Sequence, residues 1–382
     1  MSLEVRVLTS IAEIGAAEWD GLANRSVAQF NPFVSHAFLH ALEMSGSATP
    51  KTGWAARHVV IEDRGKALAI APCYLKSHSQ GEYVFDFGWA EAFHRAGGQY
   101  YPKLQVSVPF SPVVAPKLLA ATDVSRVALS GALLDLCQSQ KTSSVHLTFA
   151  TENDVSILRD KPQWLERHDI QFHWHNNGYA SFDDFLAALS SSKRKNIRKE
   201  RAAVREAGIE LQALTGDDIQ PAHWDAFWKF YLDTGSRKWG QPYLTRKFFE
   251  MIHDTMRPHV LLVMAYRGAK SIAGALNFIG GDTLYGRNWG CTENVPFLHF
   301  ETCYYQAIEW AIAHKIKVVE AGAQGEHKLA RGYVPVKTVS FHHLAHQGLA
   351  RAVGDYLQQE RAAVAENSEE LAAHAPFKNE QE

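Results

Sequence analysis

Cysteine is scarce: Cys73, Cys137, Cys291 and Cys303 are the four in 382 residues, and none forms a CxxC pair. That excludes a disulfide framework and a thiolate zinc site, and it fits a reducing compartment. No HExxH spacing occurs, so the acids and histidines of the C-terminal part (His299, His327, His342 and His343 among them) form no recognised metal pattern, and no metal is expected. Long apolar runs are missing too. No stretch reaches the about 18 apolar residues of a membrane span, and the start Met-Ser-Leu-Glu-Val-Arg lacks the charged and apolar regions of a leader, so a cytoplasmic protein is expected. Nor does one sign of charge dominate, with 39 Lys and Arg against 41 Asp and Glu. Nucleic acid or an anionic surface can then be bound only through a local patch.

What is present is an ordinary globular composition, 46% hydrophobic and long enough for two domains. Strand-like runs alternate with helical ones, the α/β or α+β pattern. An internal echo divides the chain: His58 to Gly65, Ile70-Ala71, Tyr83 and Trp89 to Glu91 are matched in order by His259 to Gly268, Ile272-Ala273, Tyr285 and Trp289 to Glu293. Each set reads as three antiparallel strands followed by a helix and a further strand, which gives modules over 1–175 and 176–382. The match needs gaps, and two ordinary meanders would also produce it.

The densest cluster is Glu320 to Tyr333, with three glycines, two acids, a His, a Lys and an Arg behind the apolar run Ile316 to Val319. The layout is strand, glycine turn at Gly322 and Gly325, then a short helix over 326–331. Lys328 and Arg331, three apart, share a face there and could hold an anion or a developing oxyanion. Upstream, the strand through Arg287 and Trp289 leads into a helix over 297–312. Its face Phe297, Phe300, Tyr304, Ala307, Ile308 and Ala311 is core, and Glu301, Tyr305 and Gln306 border a cleft. Arg287 and Trp289 alternate to one side of the strand, opposite Asn288.

Between the modules, Tyr179 to Leu189 reads as a short helix capped by Ser181. A basic helix over 191–207 follows, ending at Gly208. Its Arg194, Arg198, Arg201 and Arg205 fall on one face beside Lys193, so it is either a solvated surface helix or a phosphate or nucleic-acid contact. From Gly348 a helix begins that is expected to fray from about Glu366.

Taken together, these segments resemble the FemAB-like family of peptidoglycan biosynthesis or recognition proteins within the GNAT N-acyltransferases. The residues that carry the resemblance include Asn31 to Leu39, Gly81 to Phe87, Tyr100 to Leu104, Lys193 to Lys195, Tyr285 to Arg287, His299 to Glu301, Cys303 to Gln306 and Gly322 to Gly332. The resemblance implies two tandem GNAT-like domains with mixed, largely antiparallel sheets, and transfer of an acyl or aminoacyl group to a small-molecule or peptide amine. FemABX relatives use aminoacyl-tRNA. Acyl-CoA enzymes of the superfamily place an [R/Q]xxGx[G/A] loop before the main helix, whereas this chain has Gly290-Cys-Thr-Glu-Asn-Val-Pro296, where Glu293 and Pro296 oppose a bound pyrophosphate. The donor stays open between aminoacyl-tRNA and acyl-CoA, and no cofactor is assigned.

Acyl transfer needs a base for the ammonium proton and donors at the carbonyl oxygen. Glu301, Glu326, His327 and Lys328 are the catalytic candidates. Arg287, Trp289, Tyr305, Gln324, Gly325 and Arg331 are the binding candidates, with Asp86, Tyr101 and Lys103 for an acceptor in the first module. A binding protein that keeps the cleft without chemistry, or a CoA-dependent N-acetyltransferase, would carry the same features.

Overall fold

The computed structural model describes residues 3–238, 242–322 and 325–378. The chain divides into two compact units, neither continuous in sequence. The first is Met1–Ser26, Phe33–Ile170 and Lys337–Glu366; the second is Val27–Pro32, Gln171–Val336 and Asn367–Glu382. A single boundary at 175/176 therefore does not describe them. Periodicity marks a strand but not the core it joins, and the late segment beginning at Lys337 packs with the first unit.

In the first unit, strands β1 (Leu3–Leu8), β3 (His58–Asp63), β4 (Lys66–Ala71) and β7 (Leu119–Ala120) form one sheet in the order β1-β3-β4-β7. Strands β2 (Trp54–Ala56), β5 (Cys73–Lys76), β6 (Lys103–Val106), β8 (Ser144–Leu147) and β15 (Val334–Leu344, from Lys337 on) form a second run, β15-β8-β6-β5-β2. The β3–β4 turn places Arg64 and Gly65 at φ 52° and 75°, the left-handed pair of a two-residue hairpin. The expected three-strand meander stops there. After Pro72 the chain leaves β4, and β5 pairs with β2 and β6 instead.

Helices α1 (Ala16–Ala23), α2 (His36–Met44), α3 (Phe87–Arg95), α4 (Asp123–Ser139) and α5 (Glu152–Leu158) complete this unit with α12 (Gln347–Ala373). Helix α4, capped by Thr122, links the parallel pair β6–β8, a connection that parallel strands require. Its Leu129, Leu133 and Leu136 share a core with Val106, Leu147, Val339 and Phe341. Helix α12 buries Leu349, Val353 and Leu357, four apart, against Trp89, Tyr100 and Leu344. It does not fray at Glu366: its Ala- and Glu-rich end favours helix, and the chain after it returns to the second unit, where Phe377 bridges Leu189.

The second unit holds the C-terminal part of β9 (Leu165–His175) with β10 (Ile209–Thr215), β11 (Val260–Arg267), β12 (Lys270–Ile279), β13 (Thr283–Cys291) and β14 (Val318–Glu320), in the order β10-β11-β12-β13-β14-β9. Here the meander β11-β12-β13 is complete, and β13–β14 is the parallel pair. Helices α6 (Phe182–Ala188), α7 (Ser191–Glu206), α8 (Pro221–Lys238) and α9 (Arg246–Met256) precede the link between β13 and β14. That link is a single helical run of α10 (Leu298–Phe300), a π turn (Glu301–Tyr305) and α11 (Gln306–Ala313). The sequence reads as a regular helix because one inserted residue leaves the 3.6-residue pattern nearly intact. Both units thus carry the mixed α/β architecture with largely antiparallel sheets that the sequence leads one to expect.

Candidate active site

The second unit opens where β13 and β14 part. Their parallel pairing runs Thr283–Val318, Leu284–Val319 and Tyr285–Glu320, and ends there. On the other side of β13 the register with β12 slips between Leu276 and Asn277, which sets Asn277 opposite Gly286. Gly286 sits at a close approach: a Cβ there would lie 3.3 Å from Asn277 Oδ1 and 3.5 Å from the Glu320 carbonyl oxygen. A cavity of about 90 Å³ forms at this fork, lined among others by Arg287, Asn288, Trp289, His299, Cys303 and Tyr304. Crevices beyond the ends of parallel strands are common ligand sites, and the π turn that supplies Cys303 and Tyr304 is a feature often found at functional sites. Asn288 lines the cavity together with Arg287 and Trp289, contrary to strict alternation, because the slipped register relaxes the pleat.

Besides Trp289 in the lining, Arg287, Lys328 and His327 of the expected site residues converge beside this fork. Arg287 pairs with buried Glu320 at 2.8 Å. Lys328 is buried and donates from Nζ to the Gly322 carbonyl at 2.9 Å. Burial pushes its ammonium down to about 8, against the opposing pull of Glu320 and with help from Arg287. His327 is exposed, and its Nε2 shares a 2.9 Å hydrogen bond with the Tyr304 hydroxyl on the cavity wall. Gly325, at φ 115°, is required on two counts. L side chains rarely adopt that φ, and a Cβ there would lie 2.5 Å from the His327 ring.

Arg331 is differently employed from the expectation of an anion ligand. Its Nη2 pairs with Glu200 at 2.8 Å, its Nη1 donates to the His327 carbonyl at 2.8 Å, and its guanidinium stacks 3.4 Å from the Phe300 ring centre. Tyr305, expected to bind substrate, donates to the same Glu200. Glu301 is likewise engaged: Arg201 grips both its oxygens, at 3.0 and 3.1 Å, and Gln306 donates to Oε1 at 2.9 Å. A buried carboxylate so saturated is poorly suited to act as a base. Gln324 and the side chain of Glu326 lie outside the described residues.

The basic face of α7 is divided by the same contacts. Arg201 turns inward to Glu301 and Glu309, Arg198 meets Asp183 at 3.2 Å on the exposed side, and Arg205 is exposed, with Lys193 and Arg194 partly so. Glu293 in the loop before α10 pairs with Arg267 and Lys270, so its charge is already countered.

In the first unit, Asp86, Tyr101 and Lys103 come together around Ser79. Lys103 Nζ reaches Asp86 at 2.6 Å and Ser79 at 2.8 Å, and the Tyr101 hydroxyl donates to Ser79 at 2.7 Å. Burial opposes ionisation of Asp86, but the Lys103 ammonium overrides it and holds the carboxyl well below its usual range. The sequence pattern points neither to His146 nor to its contact with His342 behind them. His146 Nδ1 and His342 Nδ1 are 2.7 Å apart across paired strands β8 and β15, so one donates to the other. No spacing links residues 146 and 342; only the strand pairing does. Glu200 was missed for the same reason, as was the pairing of Glu320 with Arg287.

The family model for FemAB-like peptidoglycan biosynthesis/recognition proteins matches residues 10–379. The chain belongs to the FemAB-like family. Among solved structures, this FemAB-like protein shares its fold with FemX at a TM-score of 0.55 and 12% identity, over 89% of this chain and 98% of that one. The C-terminal domain of a putative lysylphosphatidylglycerol synthetase from Agrobacterium fabrum aligns at 0.53 and 8% identity, over 93% and 98%. A conserved protein of unknown function from Bacteroides thetaiotaomicron aligns at 0.52 and 12% identity, over 89% and 100%. No curated protein matches the chain. Among the described residues, no helix is long and apolar enough to cross a membrane, and no group of His, Cys, Asp and Glu could hold a metal ion.

Proposed function

We propose that this FemAB-like protein is an N-acyltransferase that moves an acyl or aminoacyl group onto an amine at the β13–β14 fork. The observation that carries the reading is the buried Lys328: among the described residues, the carboxylate that pulls on it, Glu320, is already paired with Arg287. An ammonium has three donors, and the one seen here goes to the Gly322 carbonyl. Lys328 is the cation for the carbonyl oxyanion or for a phosphate of the donor. His327, oriented by Tyr304, takes the proton that the attacking amine loses and returns it to the leaving oxygen, so protons balance over the turnover. Arg331 is a positioning residue: it fixes the His327 carbonyl while Glu200 neutralises it.

Lys193, Arg194, Arg198 and Arg205 on the outward side of α7 suit a phosphate-rich donor, which favours aminoacyl-tRNA over acyl-CoA. Asp86 and Lys103 of the first unit are buried and neutralise one another, which leaves them a structural role. Purified protein incubated with aminoacyl-tRNA or acyl-CoA and a panel of amines should yield acylated amine by mass spectrometry, and Lys328→Ala should lower turnover about 100-fold or more. Near-wild-type turnover in that variant would remove Lys328 from the mechanism. Binding of charged tRNA that ignores salt, or does not occur, would rule out the tRNA donor.

A further inference from the structure

We propose that the first unit carries a second site, which takes the phosphate of a phosphomonoester between Arg361 and Lys337. A groove of about 560 Å³ lies where the residue after α5, the start of β9, Lys337 of β15 and the middle of α12 meet. Leu165, partly exposed, gives it apolar surface. Its one carboxylate is Glu166, and that group is already occupied. Arg159 grips both oxygens at 2.9 Å, and His168 Nε2 donates to Oε1 at 2.8 Å. These bonds, those of Arg159 foremost, hold the Glu166 carboxyl down to about 2.

The Arg159 and Glu166 charges therefore cancel, and among the described residues no acid forms an ion pair with Arg361 or Lys337. Arg361 Nη1 donates to the Glu166 main-chain carbonyl at 2.6 Å, a bond that orients the guanidinium without neutralising it. Lys337 is exposed at the groove's edge. A fixed guanidinium presents a fork of N–H donors that suits phosphate oxygens, and an ammonium adds a point charge. Two positive charges match a phosphate dianion, the main form of a phosphomonoester near pH 7, better than a monoanionic carboxylate. The apolar surface beside them accommodates the organic part of the ester.

The test is calorimetric titration of the full chain at fixed ionic strength with inorganic phosphate and with phenyl phosphate, alongside flotation with vesicles containing phosphatidic acid. Saturable one-to-one binding of phenyl phosphate, tighter than inorganic phosphate, is expected. Arg361→Gln and Lys337→Gln should each weaken it about tenfold, while Arg126→Gln, outside the groove, leaves it unchanged. Vesicle binding with the same variant dependence would identify a lipid headgroup as the source; phenyl phosphate binding without vesicle binding would identify a soluble ester. No saturable binding to either probe, or binding that neither groove variant alters in protein with an unchanged melting curve, would overturn the proposal.

Discussion

Lys328 separates fold from function at the scale of one side chain. Its ammonium falls from the ordinary 10.5 to about 8 because it is buried. A lysine with a lowered folded value binds fewer protons than in the unfolded chain, so its contribution to stability is full above about 10.5 and is lost as pH falls through about 8. At pH 7 the buried charge is a cost of about 3 kcal/mol. Lys328→Met should therefore leave the urea midpoint at pH 7 unchanged or raised, whereas the same substitution in a purely structural lysine would lower it. At pH 10.5 that advantage should shrink toward zero. The residue types at this site were legible because Gly325, His327 and Lys328 lie in one short stretch. Glu320 heads the same stretch, whereas Arg287, Glu200 and Tyr304 come from three other places, and only folding brings them near. The misreading of Glu301 has a related origin: a buried acid on a helix looks the same in sequence whether or not an arginine from another helix has claimed it.

Helix α7 has two faces at the scale of the element, and the one-letter pattern shows a single basic stripe. Arg201 is mostly shielded and bidentate on Glu301, whereas Arg198 meets Asp183 in solvent. Breaking a shielded charge pair by removing one partner costs several kcal/mol, and an exposed pair contributes at most about 1. Arg201→Ala should accordingly lower unfolding free energy by about 2–3 kcal/mol in urea titrations, and Arg198→Ala by less than about 0.5. Their effects on charged tRNA should run the other way: removing Arg198 reduces the salt slope of binding by about one, and removing Arg201 does not. Equal stability losses would mean that the inward and outward faces are not distinct. Helix existence and caps were readable here, down to Ser181 accepting from the Asp184 N–H at 3.1 Å. The π turn was not, since an extra residue in one turn alters hydrogen bonding more than it alters the apolar pattern.

The whole molecule depends on pairings that skip long stretches of chain. His146 and His342 are both fully enclosed, and burial, with the nearby Lys103 charge adding to it, brings His146 down to about 3. His342 is lowered by burial and then by His146. Such histidines are held neutral, so their contribution is present above the ordinary 6.5 and is lost as pH falls below it, for His146 toward about 3. Unfolding free energy should drop across that window with a slope that His146→Gln/His342→Gln makes shallower by up to two protons, about 1.4 kcal/mol per pH unit each. An unchanged slope would mean that the pair is already charged in the native state. The internal echo matches the β11-β12-β13 meander but not the first one, where β5 leaves β4; the late return of Lys337–Glu366 to the first unit was not visible either, because nothing in its alternation names the core it will enter.

That return has a consequence for biosynthesis. Strand β8 leaves the ribosome with its β15 partner still unmade, and all of Gln171–Val336 must be translated before Lys337 appears. At ordinary elongation rates this interval is on the order of ten to thirty seconds. Throughout it the nascent chain presents the open edge of β8 and a core without Val339 and Phe341, a natural client for a ribosome-associated chaperone. Premature stops before Lys337 should give insoluble chains rather than an independently folded first unit.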